Sequence, residues 1–182
     1  MLIRKAEPAD AKRCLEIYNG VCDWETQNTI LTAWDKNFYP TMETVSSALV
    51  RDDLYVLEDE DKATGGKQVV ACGIINQIQP DFYREYTWSV AAAPEEVLVL
   101  HTFAVDVNCK GRGYGQFFMN FYEEQARQKN CKVLRLDTTL TNLPAQGLYK
   151  KLGYEVAGHF ECDPNGIGHN IILLGLEKAV LH

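Results

Sequence analysis

The sequence lacks the features that mark several large protein classes. Its six cysteines, at positions 14, 22, 72, 109, 131 and 162, include no CxxC pair and no close-spaced zinc ligand set. Reduced thiols in a cytoplasmic setting are the simplest reading of that pattern. No apolar run approaches the roughly 18 residues of a membrane-spanning helix, and the opening MLIRKAEPAD has no signal-peptide core. Basic residues are in short supply, 18 Lys and Arg against 25 Asp and Glu, for a net charge of −7. That balance disfavours nucleic acid or an anionic membrane as partner and favours cationic small molecules. Internal repeats and low-complexity tracts are also missing.

What is there fits one domain over residues 1–182, long enough to bury a continuous core without disulfides or metal. Leu2 to Ala6 reads as an opening strand. Pro8 followed by Ala11, Cys14, Leu15 and Tyr18 has helical period, fading near Gly20. A second helix is expected from Thr41 to Arg51, with Thr41 to Thr44 as cap candidates and Val45, Leu49 and Val50 as its apolar side. Leu54–Leu57 and Val69–Ile78 read as strands around the turn-forming Asp59–Gly66 stretch. Residues 79–93 have no clear period but hold Phe82, Tyr83, Tyr86 and Trp88.

Val97–Val105 is the strongest strand, Gly113 to Lys129 a strong helix, and Val133–Asp137 a strand again. Leu143–Leu152 reads as a helix closed by Gly153 at C′, and Tyr154–Phe160 as a strand. After the turn signal Asp163-Pro-Asn-Gly166, Asn170–Leu176 is the last strand. Strands and helices intermixed in this way imply a mixed α/β sheet.

Between the best strand and the best helix stands Lys110-Gly111-Arg112-Gly113-Tyr114-Gly115. Glycines there let backbone approach a ligand closely, while the helix aims its free N–H groups and positive dipole end at the same place, so an anion is expected. A tight turn with no ligand is the plainer alternative. A Walker A loop is excluded, because Gly115 is followed by Gln116-Phe117 rather than Lys-Ser/Thr. GxGxxG also fails, with Gln116 or Phe118 where the third glycine belongs. Asp137 lies at a distance that imitates the ribose-binding acid, which keeps a dinucleotide-binding reading as a rival.

The segment resembles the central motif of the GNAT superfamily of N-acetyltransferases, Gln/Arg-x-x-Gly-x-Gly/Ala between strand and helix, with Lys110 in place of the usual Gln or Arg. A second block, Asn142-Leu-Pro-Ala145-Gln-Gly-Leu148-Tyr149-Lys-Lys-Leu-Gly153-Tyr154, is similar to the family's Asn-x-x-Ala-x-x-Leu-Tyr-x-x-x-Gly-Phe/Tyr segment. Taken alone, Ala145, Leu148, Tyr149 and Leu152 also make an ordinary buried helix stripe.

The resemblance implies a mostly antiparallel sheet with two splayed parallel strands and flanking helices, binding acetyl-CoA as co-substrate. It implies that backbone at Phe103, Ala104 and Val105 pairs with the pantetheine arm. It further implies that Lys110, Gly111, Arg112, Gly113, Tyr114 and Gly115 hold the pyrophosphate and that Asn142 contacts the cofactor. The reaction is then direct attack of a primary amine on the thioester, with Tyr149 giving a proton to the leaving thiolate.

A free alkylammonium with a pKa near about 10.4 is almost wholly charged at neutral pH, so a base must take its proton. His101 is the first candidate for that base and Glu96 the second; a hydrogen-bonded structural histidine is the alternative for His101. A small-molecule amine is the expected acceptor. A protein or peptide amine, or a module that binds acetyl-CoA without turnover, are the rivals. Trp34, Phe38, Tyr39, Tyr83, Tyr86 and Trp88 fit an aromatic wall for the acceptor, packed core, or a homodimer contact equally well. His159, Cys162, Asp163 and His169 match no strong metal-ligand spacing, so no metal is expected.

Overall fold

The computed structural model describes residues 1–60, 65–162 and 171–181. Seven strands form one sheet in the order β1-β2-β3-β4-β5-β7-β6. They are β1 (Leu2–Lys5), β2 (Leu54–Glu60), β3 (Lys67–Asn76), β4 (Val97–Val105), β5 (Val133–Thr139), β6 (Glu155–Cys162) and β7 (Ile171–Ala179). The helices are α1 (Ala11–Gln27), α2 (Met42–Val50), α3 (Tyr114–Gln128) and α4 (Leu143–Lys151), with short 3-10 turns between. Pairings β1–β2, β2–β3, β5–β7 and β6–β7 are antiparallel, while β4 and β5 are parallel. The expected mostly antiparallel α/β sheet is therefore present.

By contacts the chain forms two compact units. The first is Met1–Thr29, Trp34–Ile75 and His101–Phe121, and the second is Ile30–Ala33, Asn76–Leu100 and Tyr122–His182. In the first, Cys14, Ile17, Tyr18, Val45, Ala48, Val56 and Cys72 form a buried cluster. α1 does not fade at Gly20 but continues to Gln27. A glycine inside a helix costs only about 1 kcal/mol, and the helix beyond it buries the apolar Cys22. α2 begins as expected on Thr41, whose side chain and that of Thr44 form a capping box. Its apolar face differs: Ala48 is buried beside Val45, while Val50 is 88% exposed. Positions 45, 48 and 49 share one side of a 3.6-residue helix, and position 50 is turned away from it.

The second unit explains the aromatic stretch. Tyr83 and Tyr86 are buried with Val97, Val99 and Val133, and Phe82, Trp88 and Phe160 pack around them. Tyr86 lies over Gly175, where a Cβ would come within 2.6 Å of its ring. The buried pair Arg135 and Glu177 clamps the same stretch. Arg135 donates to Gln79 Oε1 (2.8 Å) and Val90 O (3.0 Å) and lies 4.3 Å from the Trp88 ring centroid. Glu177 accepts from the backbone N–H groups of Ser89 and Val90. Residues without hydrophobic period thus become core, because the contacts that bury them come from strands distant in sequence.

Of the loose set around the last hairpin, His159 and Cys162 lie on β6. The turn at 163–166, Asp163, His169 and Asn170 lie outside the described residues. Among the described residues no group of three or more His, Cys, Asp or Glu could hold a metal ion, and no helix is long and apolar enough to cross a membrane.

Candidate functional site

In the first unit, β4 delivers the chain to the glycine loop. Thr102 has φ 48°, which breaks the extended strand two residues after Leu100. Such a break makes the alternation of residues between the two faces unreliable there. Burial changes at the same place: Val97–Leu100 are buried, whereas His101, Thr102 and Phe103 are half-buried. Phe103 stacks on Phe118 of α3 with centroids 4.6 Å apart, and the Thr102 hydroxyl bonds that of Tyr39. Trp34 meets Tyr18 and Tyr39 edge to face. Those two rings thus pack within the first unit, while Phe38 is 57% exposed.

Asp106 then pins the strand end. Its N–H donates to Val70 O (2.8 Å), its Oδ1 accepts from Asn108 N (2.9 Å), and Arg13 of α1 pairs with its Oδ2. Gly111 and Gly113 follow at φ 79° and 80°, a region that disfavours any side chain, and a Cβ added at either would meet nothing within 4 Å. The two glycines are therefore required by backbone shape, and the space beside them is open to a ligand.

α3 starts at Tyr114, and Phe117 N–H donates to Gly113 O (3.0 Å). The N–H groups of Tyr114, Gly115 and Gln116 are then first-turn donors with no intrahelical partner, the geometry that receives anions. Tyr114 is buried and donates to Asp59 Oδ2 (2.7 Å), which fixes the start of the helix. Lys110 has its Nζ 3.5 Å from the Trp24 ring centroid, a cation–π contact, while Arg112 is exposed.

In the second unit, parallel pairing of β4 with β5 runs from Val97↔Val133 to Leu100↔Leu136 and stops, although β5 continues to Thr139. The Tyr122 hydroxyl lies within hydrogen-bonding distance of both Leu98 O (2.6 Å) and Arg135 O (2.9 Å), tying the two strands where they still pair. Asn142 caps α4, accepting from Ala145 N–H (3.3 Å), and Pro144 follows in the first turn. Tyr149 is buried on α4, its ring 5.9 Å from that of Tyr154. Burial first, and then the charge of Asp137, push the Tyr149 phenol above its ordinary range, so it keeps its proton throughout physiological pH.

Glu96 stands at the opening of β4, where its carboxylate pairs with Lys132 Nζ (2.6 Å) and accepts from Ala93 N–H (3.0 Å). Those bonds hold its pKa below the usual carboxylate range. The second unit therefore gathers Tyr149 and Asp137, whereas His101 belongs to the first and Glu96 is committed at the far end of its strand.

Sequence reasoning did not single out Asp137 for catalysis. It is the residue after the last β4–β5 pair, and Tyr83 donates to its Oδ1 (2.8 Å). Some solvent access remains, yet protein surrounds the carboxyl closely enough for desolvation to raise its pKa to about 6, against the opposing hydrogen bond from Tyr83. The sequence signal was an acid closing the run Val133-Leu134-Arg135-Leu136; its tyrosine partner lies 54 residues earlier.

The mixed sheet, with a strand leading through a glycine loop into α3, is the architecture shared by the known proteins this chain resembles. The model of the Acetyltransferase (GNAT) family matches residues 18–154, and the chain belongs to that family, whose acetyl donor is acetyl-CoA. It is 31% identical over 72 residues to the streptothricin acetyltransferase of Escherichia coli, a stretch covering 40% of this chain and 38% of that protein's length. The ribosomal-protein-alanine N-acetyltransferase of Brucella melitensis superposes with a TM-score of 0.70 at 24% identity, covering 98% of this chain and 99% of its own. A Salmonella typhimurium structure with its cofactor acetyl-CoA superposes at 0.68 with 16% identity, covering 100% and 95%. Likeness at these structural identities establishes the fold.

Proposed function

We propose that the protein transfers the acetyl group of acetyl-CoA to a primary amine of a cationic small molecule by direct attack of the amine on the thioester. The observation that carries this reading is the pair of left-handed glycines, Gly111 and Gly113, facing open space at the start of α3 inside the stretch the family matches. The pyrophosphate would rest on N–H groups from Lys110 to Gly115, and the pantetheine arm on backbone at Phe103–Val105. Lys110, drawn over Trp24, contributes backbone there more readily than charge. Asn142, whose side-chain oxygen caps α4, orders the helix that carries Tyr149 and reaches the cofactor only through its remaining amide.

Holding both substrates in reacting geometry supplies most of the acceleration. Tyr149, kept protonated by burial, gives its proton to the departing thiolate. The small-molecule acceptor is supported by the match to an enzyme named for streptothricin and by the net charge of −7, which attracts cations.

Incubating the protein with acetyl-CoA and a panel of primary amines, alcohols and an N-terminal peptide, with thiol release and product mass followed together, tests the reading. Amine-dependent release with a mass gain of one acetyl group supports it. Turnover confined to the peptide shifts the acceptor to a protein amine, and binding of acetyl-CoA with no turnover on any acceptor makes the protein a non-catalytic binder.

A further inference from the structure

The second unit contains a carboxyl whose surroundings suit a specific ligand. Asp137 lies on β5 one residue beyond the last parallel pair, Leu100↔Leu136, where the strand still pairs with Gly175 of β7 but no longer with β4. Only Oδ1 is engaged, by the Tyr83 hydroxyl at 2.8 Å, and Oδ2 accepts no hydrogen bond among the described residues. Tyr83 is buried and immobilised, packed against Tyr86 and Trp88 and backed by the Arg135–Glu177 clamp. Asp137 is half-buried and Oδ2 is not one of the buried atoms without a partner, so this oxygen stays open to water or to a ligand while protein encloses the rest of the carboxyl.

The other titratable and charged groups around Asp137 are few. Tyr83 and Tyr86 come from the aromatic stretch, Tyr149 from α4, and Arg135 precedes it by two residues on the same strand. Arg135 turns to Glu177, Gln79 and Trp88. No cation therefore neutralises Asp137 among the described residues, while its charge reaches both Tyr86 and Tyr149.

Resting on the acetyltransferase reading, we propose that Asp137 receives the ammonium group of the acceptor on Oδ2 and takes its proton, with Tyr83 as the residue that positions the carboxylate. The missing counter-charge is then supplied by the substrate, and the acceptor class is a primary alkylammonium. The ammonium gives one proton to Asp137, and the neutral nitrogen forms the N–C bond at the thioester carbonyl. The C–S bond breaks, and the second nitrogen proton ends on sulfur by way of Tyr149. Asp137 returns its proton to water. The carboxyl titrates close enough to neutrality to accept a proton and release it again. This removes the proton-accepting role from His101 and Glu96.

The test is the pH dependence of kcat/KM for an alkylamine such as phenethylamine in the wild type, Asp137→Asn, Tyr83→Phe and His101→Ala. The expected wild-type profile rises through an acidic limb near pH 6. Asp137→Asn should lose the limb and about 100-fold or more in kcat/KM. Tyr83→Phe deletes the donor that favours the ionised carboxylate, so its limb should move to higher pH, which loss of packing alone would not do. His101→Ala should keep the limb.

A limb unmoved in both Asp137→Asn and Tyr83→Phe, or one abolished by His101→Ala, overturns the proposal while leaving acetyl transfer intact. If the wild type turns over no amine, the transferase reading fails separately. Carboxyl carbon-13 NMR of Asp137 then decides: phenethylammonium should shift its titration downward, and no shift overturns the site. The same NMR titration of Tyr83→Phe serves if Asp137→Asn fails to fold.

Discussion

At the scale of single residues the loop and the acid make separable predictions. Gly113 holds φ 80°, where a side chain costs about 1–2 kcal/mol of backbone strain, yet the space around it is open. Gly113→Val should therefore fold with a modestly lower Tm while losing at least about tenfold in acetyl-CoA affinity by calorimetry, since the branched side chain fills the anion's approach. Tyr149→Phe keeps the ring against Tyr154 and deletes only the proton source. Stopped-flow and equilibrium binding should show kcat lowered about tenfold or more with the acetyl-CoA Kd unchanged. Burial holds the Tyr149 phenol above its ordinary range, so no basic limb from this group should appear below about pH 10.

At the scale of elements, the aromatic stretch from Phe82 to Trp88 acts as a packed strap. A Cβ at position 175 would lie 2.6 Å from the Tyr86 ring, so Gly175→Ala forces either β7 or the strap to shift. The cost should be about 1–3 kcal/mol, read as a lower urea midpoint. The clamp should be more costly to break. Glu177→Gln leaves Arg135 buried and without its counter-ion, and about 3–5 kcal/mol of stability should be lost by the same measurement. Because Tyr83 is part of this strap, both variants should also disturb the titration of Asp137, coupling a stability change to a change in the pH profile.

At the scale of the whole molecule, Asp137 sets a pH dependence of stability. Its folded pKa of about 6 lies above the ordinary carboxylate value of about 3.9. Between those values the folded state binds more protons than the unfolded one, so stability is greatest below pH 4 from this group and falls as pH rises to 6. The loss amounts to about 3 kcal/mol. Asp137→Asn should abolish that loss, so its Tm relative to wild type should be higher at pH 8 than at pH 5 by differential scanning calorimetry. A carboxyl that lowers stability at working pH fits a functional role better than a structural one.

The sequence alone determined the strand–helix–strand core from Val97 to Asp137, which the structure extends to Thr139, together with the glycine loop and the Tyr149 helix. Each is written in local chemistry: β-branched runs, glycines that allow turn conformations of the backbone, and an apolar helical stripe closed by Gly153. Local pattern also misled where burial overrode it, at Gly20 inside α1 and at Val50, which faces solvent while Ala48 is buried. Only tertiary structure decided what the aromatic stretch does and which acid has a free oxygen. Tyr83 and Asp137 are 54 residues apart, and the two carboxyls, Glu96 and Asp137, are set apart chiefly by what folding brings beside them. A carboxylate paired with Lys132 is held ionised, whereas one enclosed among tyrosines is desolvated, and desolvation is a property of the packed chain that no spacing of residues encodes.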